Sequence, residues 1–373
     1  MRPDVTVTSV GACGFELPTA TPEESDGTRT WSATSLVLVA AHGGGESGLG
    51  WTYAHPAAAA VVDGLLAPLA EGADALAPGA VWERMHEAVR QLGHAGVAAM
   101  ALSAVDVALH DLRARLLGVA LCDALGPVRE AVPAYGSGGF TDYDERQLRA
   151  QARGWIEQGF TRVKVKVGRD PAADPARLAV VRDEVGDRVA LMVDGNGAYL
   201  PHEAVGWARR FAAEQAVDWF EEPVSSQDLA GLRHVRAHAP AGMAVAAGEY
   251  AWDLPDLVAL RDAEAVDVVQ ADVSRCGGVT GMLRADGFCA AARLPLSAHC
   301  VPSVMAHVGC ATSALLHTEQ FFDHERVERL LFDGSPQPRD GLLRPDRERP
   351  GLGLELRTPD AARWAGGDLR AVA

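Results

Sequence analysis

The chain has 373 residues, 48% of them hydrophobic and 23% charged, with a mean hydropathy near zero; this balance excludes a disordered or membrane-embedded protein and suits two domains, or one barrel with an added layer. Its formal net charge of −16 and pI of about 5.2 create a field that repels polyanions, so no nucleic-acid partner is expected. Six cysteines without a C-x-x-C pair read as buried thiols rather than a disulfide frame or a structural zinc site. The amino end shows no charged-then-apolar leader and "TSLVLVAAH" falls far short of a bilayer span, so a cytoplasmic protein with no membrane partner is expected.

In chain order, "PTATPEESDGTRT" is polar and turn-prone and reads as a mobile loop, followed by strands in "TWSATSLVLVAAHGG" and "SGLGWTYA". Three helices follow, in "HPAAAAVVDGLLAPLA", "AVWERMHEAVRQLG" and "AGVAAMALSAVDVALHDLRARLLG", the last apolar on nearly every side and hence deeply buried. These segments form an α+β unit, assigned to residues 1–125.

From Val132 the pattern becomes strand, loop, helix, repeated seven times, with a final strand-like "TEQFF". Such regularity favours a closed parallel barrel, assigned to residues 126–335, with its active site at the carboxyl ends of the strands. The Pro- and Gly-rich tail, residues 336–373, is expected to return to the first unit.

Polar residues recur near the predicted strand ends: Lys164 and Lys166 in "RVKVKVGRD", Asp194 in "VDGN", Glu221 in "WFEEP", Glu249 in "AAGEY", Asp272 in "VQADV", His299 in "LSAHC" and Glu319 in "HTEQFF". Neighbours are roughly one βα repeat apart, so they converge on one mouth. Taken singly, each carboxylate reads as an exposed loop acid. Three on adjacent strands repel one another unless a cation joins them, and an all-oxygen set points to Mg2+ on Asp194, Glu221 and Glu249. Asp272 can fix the tautomer of His299 and raise its basicity. Lys166, beside Lys164 and near a divalent ion, is expected to have its pKa lowered toward neutrality and to accept a proton, while Lys164 stays charged.

The ordered set "KVK", "DGN", "FEEP", "GE", "QADVSRCGG", "AHC" and "TEQ" resembles the mandelate racemase subgroup of the enolase superfamily over essentially the whole chain. The resemblance implies a modified (β/α)7β TIM barrel with an N-terminal α+β capping domain, a capping loop near Phe15 to Arg29, and a homo-oligomer. It implies Mg2+ on the same three carboxylates and an enediolate formed from a carboxylate substrate. Lys166 would be the base on one face, His299 with Asp272 the acid/base on the other, and Glu319 the hydrogen-bond partner of the substrate carboxylate. Dehydration of a sugar acid to a 2-keto-3-deoxy acid is the expected outcome; racemisation of a 2-hydroxy acid and cycloisomerisation stay open. A non-catalytic relative would have lost some of these groups. Asn196 is a further expected substrate contact, and Phe15, Arg29, Trp51 and Tyr53 are specificity candidates that packing would equally explain. His110, where such proteins commonly carry tryptophan, is read as packing.

Overall fold

The computed structural model describes residues 5–372. Its first part is an antiparallel sheet of β1 (Val7–Pro18), β2 (Ala33–Gly43) and β3 (Glu46–Thr52), with β2 central. Helix α1 (Pro78–Ala88) precedes α2 (Val97–Leu116), whose side chains are buried on almost all sides, as its uninterrupted apolar character requires. The helix expected before them is broken: α-helical turns at Ala57–Val61 and Ala67–Ala70 flank a π-helical turn at Val62–Leu66. Pro68 has no N–H for the regular ladder, and the wider turn accommodates its ring.

Helix α2 lies directly on β3 because Gly48 and Gly50, two apart on the strand, share the face beneath it. A Cβ on Gly50 would stand 2.2 Å from the Ala104 carbonyl oxygen and 2.4 Å from Ala108 N. Gly50→Ala is therefore expected to push helix and sheet apart and to cost about 1–3 kcal/mol, read as a lower midpoint in chemical denaturation.

The second part is a closed barrel of eight parallel strands: β4 (Val132–Gly138), β5 (Arg162–Lys166), β6 (Ala190–Asp194), β7 (Val217–Glu221), β8 (Ala244–Ala247), β9 (Val268–Ala271), β10 (Leu296–Ala298) and β11 (Leu315–Phe321). Each pairs with the next, and β11 pairs with β4 to close the ring. The helices between them are α3 (Glu145–Glu157), α4 (Asp174–Val185), α5 (Pro201–Gln215), α6 (Leu229–His238), α7 (Leu254–Asp262), α8 (Gly278–Ala292) and α9 (Pro302–Val308). A separate cluster of Tyr135, Met192, Trp219, Ala246 and Val268 fills the barrel interior, so this is a packed core with its opening at one end.

The eighth strand does not end the series. It runs into α10 (Phe322–Leu331), which the sequence reading missed. Its buried positions, Asp323, His324, Val327, Glu328 and Leu331, follow helical spacing, but three of the five are polar, so apolar periodicity alone does not reveal it. Residues 336–372 reach the first part at several points: Gly351 O accepts from Leu121 N at 2.7 Å, Leu352 N donates to Asp111 Oδ1 at 2.6 Å, and Gly366 N donates to Gly14 O at 2.8 Å. Among the described residues, no helix is long and apolar enough to cross a membrane.

Candidate active site

Strand alternation turns Val163 and Val165 toward the helices and Lys164 and Lys166 into the barrel, where the lysines are buried at 0% and 6% exposure. This is why a strand carries two like charges on one face: the face meets carboxylates, not water. Lys166, Asp194 and Glu221 are the last residues of β5, β6 and β7 and are level across the sheet. Glu249 follows β8 by two residues, while Asp272 and His299 immediately follow β9 and β10. Glu319, within β11, completes the circle. Every expected catalytic and cation-binding side chain thus lies at one end of the barrel, and all are buried.

Oxygens of Asp194, Glu221 and Glu249 lie within 4.8 Å of one another. Lys164 Nζ forms a short ion pair with Glu221, lies 2.8 Å from Glu319 Oε1 and 3.8 Å from Asp194 Oδ2, and Lys166 Nζ donates to Asp194 Oδ2 at 2.6 Å. Burial is the largest influence on Glu221, and with Asp194, Glu319 and Glu249 nearby it pushes the carboxyl up to about 8 against the pull of Lys164. Burial is the largest influence on Lys166 and favours the neutral amine, but Asp194, Glu249 and Glu319 together outweigh it and raise the ammonium above its ordinary value. The expected lowering of Lys166 does not follow from the protein's own charges: Lys164 opposes the proton, but the carboxylates hold it more strongly.

His299 Nδ1 is 2.7 Å from Asp272 Oδ2, and its Nε2 is 3.2 Å from Glu249 Oε2, where the geometry makes no hydrogen bond. Asp272 also accepts from Ser274 N and Oγ, both at 2.7 Å. Burial opposes the imidazolium, yet Glu249, Glu319 and Asp272 together raise the His299 pKa, while Asp272 is lowered despite its burial. The imidazole can therefore carry and release a proton while Asp272 remains its anionic anchor.

The specificity candidates divide. Asn196 sits just beyond β6 at φ 46°, its N–H donating to Asp194 Oδ1 at 2.9 Å and its own Oδ1 buried without a partner. Arg29 is exposed on a hairpin formed by Glu24–Ser25 and Thr30–Trp31, and Gly27 of that hairpin packs against the Val167 and Gly195 carbonyls at the barrel mouth. Phe15 and Trp51 are not substrate contacts. Both are fully buried, Phe15 in mid-β1 and Trp51 on β3 with its ring 4.8 Å from that of Phe332. The loop expected from Phe15 starts only after Pro18, because β1 runs on paired with β2 to that residue.

Tyr53 is likewise buried, stacked on His324, with its hydroxyl 3.3 Å from His324 O and donating to Glu328 Oε1 at 3.2 Å. Its role is packing. Burial pushes Glu328 from the usual 4.5 up to about 7, although Ser303 N donates to its Oε2 at 3.0 Å. The folded state holds this proton more tightly than the unfolded chain, so the stability it contributes is complete below about pH 4.5 and is lost as pH rises through about 7. Glu328→Gln retains an acceptor for Ser303 and is expected to be more stable than the parent at pH 8, on the order of 3 kcal/mol. The difference should vanish near pH 4.5, as read by denaturant titration at both pH values.

Several groups at the mouth were not singled out from sequence. Ser137 Oγ donates to Glu319 Oε1 at 2.6 Å, and Cys300 N donates to Glu319 Oε2 at 3.1 Å. The Cys300 thiol, raised by burial and then by Glu319, lies 3.3 Å from both that oxygen and His299 Nε2. Arg275 reaches Glu249 and Asp272 and lies over the exposed Tyr250 ring at 5.0 Å. Glu222 is buried at φ 34°, with Oε1 unpartnered. Motif context was the only signal for Arg275 and Glu222, in "DVSRCGG" and "FEEP". Gly248 has a steric reason: a Cβ there would stand 2.3 Å from the Gln270 carbonyl, so Gly must precede Glu249. His110 is buried, with Nε2 3.1 Å from Thr280 Oγ1, and is a packing residue.

A capped eight-stranded barrel with carboxylates, two lysines and an anchored imidazole converging at the strand ends defines a class of enzymes that work on small acids at the barrel mouth. Residues 147–361 match the enolase C-terminal domain-like model and residues 18–126 the mandelate racemase/muconate lactonizing enzyme N-terminal domain. The chain belongs to the mandelate racemase/muconate lactonizing enzyme group of the enolase superfamily, and it is an enzyme of the lyase or isomerase kind. It is 31% identical over 298 residues, 79% of this chain and 77% of the other, to 3,6-anhydro-alpha-L-galactonate cycloisomerase from Streptomyces coelicolor. A mandelate racemase/muconate lactonizing enzyme-like protein from Rubrobacter xylanophilus superposes with a TM-score of 0.95 at 53% identity, covering 97% of this chain and 100% of that one. L-talarate/galactarate dehydratase from Salmonella typhimurium LT2, liganded with Mg and L-lyxarohydroxamate, superposes at 0.87 with 26% identity, covering 98% and 94%.

Proposed function

We propose that the chain abstracts the proton α to the carboxylate of a sugar acid and dehydrates it to a 2-keto-3-deoxy acid, with Mg2+ held by Asp194, Glu221 and Glu249. The observation that carries this reading is the buried carboxylate trio on consecutive strands, flanked along the ring by Lys166 on one side and the His299–Asp272 pair on the other. The residues suit a hard divalent cation: all three donors are oxygens, Glu221 is pushed up by its crowded surroundings, and Glu249 Oε2 has no hydrogen-bond partner. Mg2+ is also in the Salmonella dehydratase structure. Bound here, it supplies the positive charge that makes an α-proton acidic enough for an amine or imidazole to remove.

The chain's own groups do the rest. Lys164, buried and held as a cation by Glu221 and Glu319, faces the negative charge that develops on the substrate carboxylate. Lys166, held as an ammonium by Asp194, Glu249 and Glu319 in the protein alone, would take the α-proton as a neutral amine once a bound cation engages those carboxylates and weakens their hold on its proton. His299 gives a proton from Nε2 to the departing β-hydroxyl, and Asp272 keeps the ring oriented through Nδ1. Glu319 is positioned by Ser137 and by the Cys300 N–H to hydrogen-bond the substrate carboxylate. Asn196, whose Oδ1 is unpartnered, is a contact for a substrate hydroxyl. Cycloisomerisation, in which a ring oxygen leaves instead of water, is the second reading, favoured by the Streptomyces relative.

The test is incubation with Mg2+ in D2O across a panel of mono- and diacid sugars and their anhydro derivatives. Deuterium at the α-carbon with a keto acid supports dehydration, and a ring-opened product without an external leaving group supports the second reading. No exchange and no product from any member of the panel would overturn both.

A further inference from the structure

Away from the barrel mouth, the structure brings two histidines and an aspartate together from parts of the chain far apart in sequence. His86 lies in the last turn of α1, His94 in the connection from α1 to α2, and Asp253 at the N-cap of α7, on the barrel side. One potential ligand atom from each lies within 4.8 Å of the other two. The two imidazole centroids are 4.1 Å apart, and Trp82 stacks on His86 at 4.6 Å and 12°, which fixes that ring. His94 Nδ1 is buried and has no hydrogen-bond partner. Asp253 spends Oδ1 on a long N-cap bond from Asp256 N, 3.4 Å, so its other oxygen is available. A cavity of about 170 Å³, lined in part by His86, Asp253 and Trp82, borders the cluster.

We propose that His86, His94 and Asp253 form a second cation site, for a zinc-class transition-metal ion, that fastens the α1–α2 connection to α7 of the barrel. Two imidazole nitrogens with one carboxylate suit Zn2+, Co2+ or Ni2+ and are a poor set for Mg2+, whereas the trio at the mouth has the opposite preference. A buried unpartnered nitrogen costs free energy that a metal bond offsets. The adjoining cavity has room for water to fill the positions that three protein ligands leave. Arg284 is the nearby opposing charge, and it is engaged by Glu83 at 2.5 Å and by the Trp82 ring at 4.0 Å. Because the ligands come from both parts of the fold, binding adds to the stability of the folded chain.

The test uses the full-length protein, stripped of transition metals with a chelator and saturated with Mg2+. Co2+ titration should show one equivalent bound, with visible d–d absorption that Zn2+ abolishes, and Zn2+ should raise Tm. His94→Gln, on an exposed-side connection, and Asp253→Asn, which keeps the N-cap acceptor, should each weaken binding roughly tenfold or more. Both should remove the Zn2+ effect on Tm and leave Mg2+-dependent turnover unchanged. Asp194→Asn, which dismantles the carboxylate trio, should keep the Co2+ band. A wild-type protein that binds no Co2+, a band unaltered in both ligand variants, or a band lost only in Asp194→Asn would overturn the site.

Discussion

Lys166→Ala is expected to lose turnover by roughly 10^2- to 10^4-fold, the contribution of one positioned base, with α-proton exchange in D2O falling by the same factor. The side chain is buried with its ammonium 2.6 Å from Asp194 and has no second lysine that can substitute for it, because Lys164 is tied to Glu221 and Glu319. His299→Ala should behave differently. Dehydration falls by a comparable factor, but exchange of the α-proton that faces Lys166 persists, because proton abstraction and leaving-group departure use different groups. NMR of the recovered substrate separates the two. Equal exchange in both variants would remove the assigned division of labour, and persistence of both activities would remove the site.

Asp194→Asn is expected to have the largest effect on cation dependence. It replaces one of three oxygen anions and also the ion-pair partner of Lys166, so cation affinity and the charge balance at the mouth change together. A metal clamp contributes several kcal/mol to the transition state, so turnover should fall by about three orders of magnitude. In the parent, Mg2+ should raise Tm in proportion to the logarithm of its concentration above Kd, and in the variant that response should be lost or moved to much higher concentration. An unchanged Mg2+ response in Asp194→Asn would mean that the ion binds elsewhere.

Three of the specificity candidates, for which packing was the equal alternative, are of one kind. Phe15, Trp51 and Tyr53 are large side chains near a loop, and nothing local says which way they face. The pairing of β1 with β2 up to Pro18, the tilted contact of Trp51 with Phe332 and the stacking of Tyr53 on His324 bury all three in the core. Asn196 lies just beyond β6, and Arg29 is exposed on the hairpin whose Gly27 packs at the mouth. Conversely, Ser137 and Cys300 hold Glu319 from the neighbouring strands, and no spacing in the sequence marks a serine or a lone cysteine for that task.

The sequence alone was enough to determine the repeating βα order, the inward face of the Lys164–Lys166 strand and the ring of polar strand ends. A period of two along a strand and one repeat per strand are properties of the chain itself. Only the tertiary structure decided which aromatic residues were core, that a polar-faced helix follows the last strand, and that His86 and His94 meet Asp253. Those outcomes depend on contacts between residues far apart in the chain, where burial and partner geometry override local pattern.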